Sequence, residues 1–460
     1  MAETKYDCIV IGSGPGGYVA AIRAAQLGMK TAVVEKGNVG GRCLNEACIP
    51  AKALLRVADA MKEVTGAKSF GIDVGDVKFD FGGATEHRDK VVKTLTGGVS
   101  MLFEKNKIDL IEGFGSVTDD ANVKVGGSFD GSEIGAGAVI LACGSVAHPV
   151  AGLKFGGRIL DTAAMWLIDE QPKRLAVIGA GASGTEVASA FGRLGTEVIL
   201  LEALDQILPL EDKEIAKACA REIAKQNVRI VTGASVEKIE DTGDSVKIEL
   251  GGEHHEVDYV CIAAGRGADL EGLGLEEAGV QVDDRGLIMV DGAMRTSLEG
   301  AYAIGDIVPG PALAHKASDE GVLAAEDAAG MDTHPIDYDF VPRVTFCSPQ
   351  VASFGLTEEQ AREAGHDVVI GKVPMGAVGA PTVYGDRSGM VKIIGDKTYG
   401  EIIGGHIVCS KAAELIEELV VARELEGGYP ELAHSIHPHP AFAEAVLEAA
   451  RATDGWLIHG

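Results

Sequence analysis

Cys8-Ile9-Val10-Ile11-Gly12-Ser13-Gly14-Pro15-Gly16-Gly17 is a short apolar strand pattern that runs straight into Gly12-x-Gly14-x-x-Gly17. A helical pattern through Ala20, Ala24 and Leu27 follows, and then a second strand, Thr31-Ala32-Val33-Val34, which ends in Glu35. In such a unit the first glycine makes the tight turn, the second lets a pyrophosphate approach the backbone, and the third lets helix and strand pack closely. The helix N-terminus offers unpaired N–H groups and a positive dipole end to the phosphates. The same series returns 167 residues later, from Gly12 to Gly179. Leu175-Ala176-Val177-Ile178 leads into Gly179-x-Gly181-x-x-Gly184, a helical segment ends near Gly195, and Val198-Ile199-Leu200-Leu201 ends in Glu202.

One such fingerprint is weak evidence, because glycine-rich turns are common. Two copies in strand-turn-helix-strand context, each with an acid 18 residues past its last glycine (17 to 35, 184 to 202), point to two dinucleotide-binding units. A carboxylate at the end of the second strand accepts a hydrogen bond from a ribose 2′-hydroxyl and repels a 2′-phosphate. Beyond Glu202 the chain reads Ala203-Leu204-Asp205-Gln206, without the arginines that a 2′-phosphate needs, so the second unit is expected to prefer NAD to NADP. A solvated strand-end glutamate explains either acid alone and explains the pair in register poorly.

The chain has 460 residues, too many for one core, and three or four domains are expected. Glycine is abundant, at 62, and aromatic residues make up only 5%, which suits turn-rich α/β architecture. A net charge of −28 argues against nucleic acid or anionic membranes as partners. Met1-Ala2-Glu3-Thr4-Lys5-Tyr6-Asp7 passes directly into a strand, without the pattern of a secretory signal, and no apolar run reaches the length of a membrane span. A cytoplasmic protein is expected.

Of eight cysteines, Cys43 and Cys48 stand in Gly40-Gly41-Arg42-Cys43-Leu44-Asn45-Glu46-Ala47-Cys48-Ile49-Pro50-Ala51-Lys52, just after the first fingerprint. A thiol pair becomes a redox catalyst when one sulfur attacks a disulfide and the other closes the mixed disulfide. In an ideal helix these two residues would stand about 140° apart, so the backbone between them is expected to be distorted, with Pro50 placed to force it. Glu46, between the sulfurs, is expected to raise their pKa values, and Arg42 to offset it. The remaining cysteines (8, 143, 219, 261, 347 and 409) are scattered singly and read as small buried hydrophobes.

Near the C-terminus His439 is followed by Pro440 and, five residues on, by Glu444, at the start of the apolar pattern Ala445-Val446-Leu447. An imidazole whose second nitrogen is held by a carboxylate is oriented and made more basic, as deprotonation of a dithiol requires. Taken blind, the spacing also fits a capped helix or an exposed pair. His437-Pro438-His439-Pro440 has no second ligand cluster with metal-binding spacing, so no metal is expected.

Taken together, these segments, with Gly16-Gly17-Tyr18-Val19-Ala20-Ala21-Ile22-Arg23-Ala24-Ala25-Gln26-Leu27-Gly28, Tyr302-Ala303-Ile304-Gly305-Asp306 and Leu313-Ala314-His315-Lys316, resemble the flavoprotein disulfide reductase family over essentially the whole chain. The resemblance implies FAD on the first fingerprint, at Gly12, Gly14, Gly17 and Glu35. Gly40, Gly41, Lys52, Gly115, Gly144, Asp306 and Ala314 complete that site. It implies NAD at Gly179, Gly181, Gly184 and Glu202, with Val236 and Ala264-Gly265-Arg266 closing over it. It further implies a Cys43–Cys48 disulfide with Cys48 next to the flavin, Lys52 paired with Glu186 where hydride arrives, and His439 and Glu444 as an oriented base supplied by the other subunit of a homodimer. The implied substrate is a dihydrolipoyl group on a lipoyl-bearing protein of a 2-oxo-acid dehydrogenase or glycine cleavage complex. Another disulfide substrate, or a diaphorase-type electron-transfer subunit, are the alternatives. Arg42, Glu46-Ala47, Cys143 and the arginine-free stretch 375–381 depart from the family pattern.

The expected fold is α/β: two Rossmann-like dinucleotide-binding domains, for FAD and NAD, and a C-terminal α+β dimerisation domain. The FAD domain spans 1–150 and is completed by 276–345, the NAD domain spans 151–275, and the dimerisation domain spans 346–460.

Overall fold

The computed structural model describes residues 4–126, 133–149 and 153–460. It forms two compact units, each assembled from separate stretches of chain. The first comprises 1–53, 85–148 and 265–338, and the second 54–84, 149–264 and 339–460. The expected boundary between residues 150 and 151 lies outside the described residues.

The first unit is built on a seven-stranded sheet. Strands Asp109–Glu112, Thr31–Glu35, Thr4–Ile11 and Glu133–Leu141 lie side by side and parallel, and Ala301–Ala303 pairs in parallel with the last of them. Val123–Gly126 and Phe114–Val117 continue the sheet in antiparallel fashion. The central strand is buried on both faces: Cys8, Ile9 and Val10 are wholly inaccessible. Such continuous apolar runs are what a covered parallel sheet needs, and each fully buried Val or Ile side chain contributes about 1.5–3 kcal/mol. The fingerprint helix Pro15–Gln26 buries Ala20, Ala21 and Ala24, small residues that let it lie close to its neighbours.

The second unit repeats the scheme. Val228–Val231, Glu197–Leu201, Arg174–Ile178, Tyr259–Ile262 and Ile159–Asp161 form a five-stranded parallel sheet, and helix Ala182–Arg193 follows the second fingerprint. A three-stranded antiparallel sheet, Val236–Asp241, Val246–Leu250 and Glu253–Val257, packs on it through Val236, Ile239, Val246 and Ile248.

The C-terminal part is a five-stranded antiparallel sheet, in the order Arg343–Thr345, Gln350–Gly355, Glu401–Cys409, Met390–Asp396, Val368–Pro374, with helices Ala412–Glu424 and Glu444–Thr453. One row of its cross-strand register is polar: Arg343, Ser353, His406 and Lys392 stand in successive strands. Helix Lys213–Ile223 meets this row with Asp212, its N-cap. The Lys392 ammonium is 1% exposed and reaches Asp212 at 2.9 Å, Glu214 at 2.9 Å and Glu358 at 2.8 Å. Burial opposes its charge, but the three carboxylates outweigh burial and raise its pKa to about 12. His406 is wholly buried, which pushes its pKa down to about 4 and leaves it neutral, its Nε2 2.9 Å from Leu356 O.

Candidate active site

The cysteine segment shows how the backbone breaks helical phase. Gly41–Asn45 is one short helix and Cys48–Gly66 another. Between them Glu46 leaves helical geometry at φ −132°, and the N–H groups of Glu46 and Ala47 both donate to Arg42 O, at 2.8 and 3.0 Å. The break thus falls at Glu46–Ala47 and not at Pro50, which sits in the first turn of the second helix, where its missing N–H costs nothing. Cys48 opens that 19-residue helix, so its sulfur lies at the positive end of the helix dipole, a setting that favours a thiolate.

Cys43 and Cys48 are hydrogen-bonded neighbours. That shared bond, followed by burial, pushes the Cys43 thiol up, while Lys52 pulls it down. Glu46 is exposed, and the shift of Cys43 traces to Cys48, burial and Lys52 rather than to the carboxylate anticipated from the sequence. Tyr18, on the fingerprint helix, lies close enough for Cys43 to raise its phenol along with burial; sequence reasoning passed over it, because one aromatic residue in a helical stripe carries no signal.

The dinucleotide turns are shaped as their glycines require. A Cβ on Gly12 (φ +101°) would fall 2.4 Å from Ala142 O, and one on Gly17 1.9 Å from Gly12 O. On Gly179 it would meet Ala263 O at 2.7 Å, and on Gly184 it would meet Gly179 O at 1.9 Å. At the middle glycines, Gly14 and Gly181, a Cβ would meet no protein atom within 4 Å. Each middle glycine caps its helix without a side-chain hydrogen bond. These open faces at uncapped helix starts are the cradle that a pyrophosphate fills.

The acids have a second task that spacing alone does not reveal. Glu35 accepts from Ser13 N at 2.8 Å, Ser13 Oγ at 2.6 Å and Gly37 N at 2.7 Å. Glu202 accepts from Ala180 N at 2.7 Å and Leu204 N at 3.0 Å. Ser13 and Ala180 each follow the first fingerprint glycine, so in both copies the strand-end carboxylate braces the phosphate turn.

Other expected FAD residues cluster in the first unit. Gly40 N donates to Ser13 Oγ at 3.1 Å, and a Cβ on Gly41 would come 2.7 Å from Gly14 Cα. A Cβ on Gly115 would meet Ile11 and Val34 side chains at 3.1 Å, and Gly144 takes φ +77° in the turn after Cys143. Ala314 opens helix Ala314–Ala328. Asp306 accepts from Ser145 Oγ and from the Arg266 guanidinium at 2.8 Å. Arg266, expected over NAD, is therefore joined to an expected FAD residue within the first unit, and Gly265 beside it takes φ +148°. Ala264 and Val236 belong to the second unit, where Val236 starts the antiparallel sheet. Glu186 is 5% exposed on the second fingerprint helix and accepts from Phe346 N at 2.8 Å, while Lys52 is half-buried on the helix that Cys48 opens.

At the C-terminal end His439 Nδ1 lies 2.8 Å from Glu444 Oε1, and Ala441 N donates to Glu444 Oε2 at 2.9 Å. A carboxylate only accepts, so Nδ1 carries the proton and Nε2 is free to act as a base. Burial pushes Glu444 up, but the Ala441 N–H and His439 outweigh it and hold the carboxyl below its usual range. The imidazole is 75% exposed. His437 pairs instead with Glu418, Nε2 to Oε1 at 2.5 Å, and this hydrogen bond raises its pKa above 6.5. The contribution of that pair is complete below pH 6.5 and fades as pH rises through the raised value. His437→Gln is accordingly expected to cost about 1 kcal/mol of unfolding free energy near pH 6 and nothing near pH 9, measured by urea titration. An equal cost at both pH values would show that the pairing carries no charge.

Among the described residues no group of three or more His, Cys, Asp or Glu is arranged to hold a metal, and no helix is long and apolar enough to cross a membrane.

Two dinucleotide cradles, a dithiol at a helix start beside the first of them and a histidine–carboxylate pair define a two-cofactor dithiol oxidoreductase. Residues 6–321 match the pyridine nucleotide-disulphide oxidoreductase family and residues 341–450 its dimerisation domain, and the chain belongs to that family. It is 42% identical to a dihydrolipoyl dehydrogenase of Thermus scotoductus, over 99% of this chain and 98% of that protein. It is 38% identical to the dihydrolipoyl dehydrogenase of Bacillus subtilis, over 99% of both. Among solved structures LpdA from Mycobacterium tuberculosis superposes with a TM-score of 0.90 at 27% identity, covering 96% of this chain and 99% of that one. The HOCl-induced flavoprotein disulfide reductase RclA from Escherichia coli superposes with a TM-score of 0.86 at 27% identity, covering 98% and 100%. Enzymes of this family use FAD and NAD.

Proposed function

We propose that the protein is a dihydrolipoyl dehydrogenase, which oxidises the dihydrolipoyl group of a lipoyl-bearing protein to its disulfide with NAD as the final acceptor. The observation that carries this reading is the dithiol at the start of helix Cys48–Gly66, directly beside an open dinucleotide cradle, in a chain that matches dihydrolipoyl dehydrogenases end to end. FAD fits the first cradle, held by Gly12, Gly14, Gly17, Glu35, Gly40, Gly41, Lys52, Gly115, Gly144, Asp306 and Ala314, and NAD fits the second, at Gly179, Gly181, Gly184 and Glu202 with Val236 and Ala264, whereas Gly265 and Arg266 fall in the first unit, with Arg266 on Asp306. When bound, the flavin supplies a two-electron relay between thiols and nicotinamide.

The chain's own residues handle the sulfur and the protons. His439 Nε2 takes a proton from a substrate thiol, while Glu444 holds the ring and stabilises its positive charge. The resulting thiolate attacks Cys43 of the oxidised Cys43–Cys48 pair, Cys48 leaves as a thiolate, and the second substrate thiol displaces Cys43, releasing the cyclic disulfide. The Cys48 helix start and Lys52 stabilise the departing thiolate. Lys52, on the helix that Cys48 opens, and Glu186, on the second fingerprint helix, are the charged groups that the family resemblance assigns to hydride transfer. Two chains complete two sites, each taking His439 from the partner, as the matched dimerisation domain supports. The proposed functional division is FAD binding over 1–150 with 276–345, NAD binding over 151–275, and dimerisation over 346–460; the compact units depart from it chiefly at 54–84, which group with the second, and at 265–275, which group with the first. A cytoplasmic setting suits a chain whose other six cysteines are scattered singly rather than arranged as a disulfide framework.

The test is turnover of free dihydrolipoamide with NAD. Robust activity is expected, with NADP poorer by orders of magnitude in kcat/KM, because a carboxylate at the end of that strand, here Glu202, repels a 2′-phosphate. Glutathione disulfide or mercuric ion reduced faster than lipoamide would overturn the substrate, and comparable efficiency with NADP would overturn the nicotinamide assignment.

A further inference from the structure

One residue pair outside the expected site is buried more completely than any other charge pair that the described residues present. Lys316 and Glu320 stand one turn apart on helix Ala314–Ala328, both side chains are 0% exposed, and Nζ lies 3.0 Å from Oε1. Burying two charges costs several kcal/mol per ion, and an apolar pair of similar volume would generally hold a helix in place as well or better. The pair therefore calls for a task that apolar side chains cannot perform.

That task is visible at Gly305. Its N–H donates to Glu320 Oε2 at 2.7 Å, and its carbonyl accepts from Lys316 Nζ at 2.8 Å. Both backbone polar groups of a single residue, held at φ +80°, are thus gripped by one ion pair. Tyr338 fastens the other Glu320 oxygen, its hydroxyl 2.5 Å from Oε1, and its ring lies beside the Lys316 ammonium. Gly305 immediately precedes Asp306, and Ala314 opens the same helix. That helix also packs against the first fingerprint helix backbone to backbone: a Cβ on Gly321 would come 2.5 Å from Gly16 O, and one on Gly16 2.8 Å from Ala317 O. One element thereby sets the phosphate-binding helix, Ala314 and, through Gly305, Asp306.

We propose that Lys316 and Glu320, steadied by Tyr338, are positioning residues for the flavin: they fix the Gly305 backbone and so carry Asp306 to the dinucleotide. This inference rests on the reading of Asp306 as an FAD contact.

The test uses the full chain as apoprotein and as reconstituted holoenzyme, in the variants Lys316→Met/Glu320→Leu, Tyr338→Phe and Asp306→Ala. For the double variant the apoprotein is expected to unfold at the parent temperature or above, while FAD, followed by flavin fluorescence, binds about ten- to a hundredfold more weakly, as loss of a charge-assisted hydrogen bond predicts. The visible flavin spectrum is expected to shift as well, and Tyr338→Phe to weaken FAD several-fold with apoprotein stability unchanged. Parent-like FAD affinity in the double variant, with affinity lost in Asp306→Ala, would show that the pair positions nothing. FAD affinity that falls only in proportion to apoprotein stability in every variant would make its role structural and overturn the proposal, and if the double variant does not fold, Tyr338→Phe decides by the same criterion. Unchanged affinity in Asp306→Ala would remove the cofactor placement itself, and the inference with it, while leaving turnover of dihydrolipoamide as a separate result.

Discussion

Replacing Cys43 by serine is expected to lower oxidation of dihydrolipoamide about a thousandfold or more, because the residue that forms the mixed disulfide is gone and nothing else in the segment can substitute for it. The same variant should retain the long-wavelength absorption of a thiolate lying against an oxidised flavin. Cys48 begins a 19-residue helix and has Lys52 one turn further on, so its charged form is stabilised whether or not Cys43 is present. Cys48→Ser should lose both activity and band. Spectra of the two purified variants at neutral pH decide the assignment: the band absent in Cys43→Ser and present in Cys48→Ser would exchange the roles of the two sulfurs.

His439→Gln is expected to depress the same reaction by about 10²–10⁴-fold, the range of a positioned general base, while reduction of an artificial acceptor by NADH stays near the parent rate, since that route needs no dithiol proton. The exposed imidazole and its 2.8 Å contact with Glu444 describe a base that its own chain orients without covering. Mixing His439→Gln and Cys43→Ser chains then separates two arrangements. With partner-donated histidines, random exchange makes half the dimers mixed, each with one fully wild-type site, and about a quarter of parent activity should return. No return after demonstrated exchange of subunits would place the histidine in its own chain's site or outside the chemistry.

The parts of the molecule that could be read from sequence are those whose cause is local. A glycine turn with a left-handed φ, an apolar strand and an acid at its end are all encoded within thirty or so neighbouring residues, and both copies fold as their order implies. The His439–Glu444 pair was readable for the same reason. What escaped depends on distant stretches meeting. Cys219 and Cys347, read as isolated hydrophobes, come to 3.7 Å across 128 residues of chain, buried as expected but adjacent. Arg266 meets Asp306 because the strand Arg266–Ala268 pairs with Ser145–Ala147, a register that no spacing announces. Lys316 and Glu320 have ordinary surface-helix spacing, and only the packed helix shows them to be interior. The 26-residue helix Phe81–Asn106 was not anticipated, for it carries Gly82, Gly83, Gly97 and Gly98, and its apolar stripe is faint.

The brace formed by Glu202 bears on how nicotinamide preference can be redesigned or can drift in evolution. Its carboxylate is spoken for by the Ala180 and Leu204 amides before any ribose arrives. Exchanging it for a small neutral residue removes the repulsion of a 2′-phosphate and, in the same step, unfastens the loop that must receive the diphosphate of either nucleotide. A one-residue route from NAD to NADP therefore passes through a variant poor with both. The passable route adds a guanidinium among residues 203–206 first, so that the anion it attracts can take over the amides that Glu202 gives up.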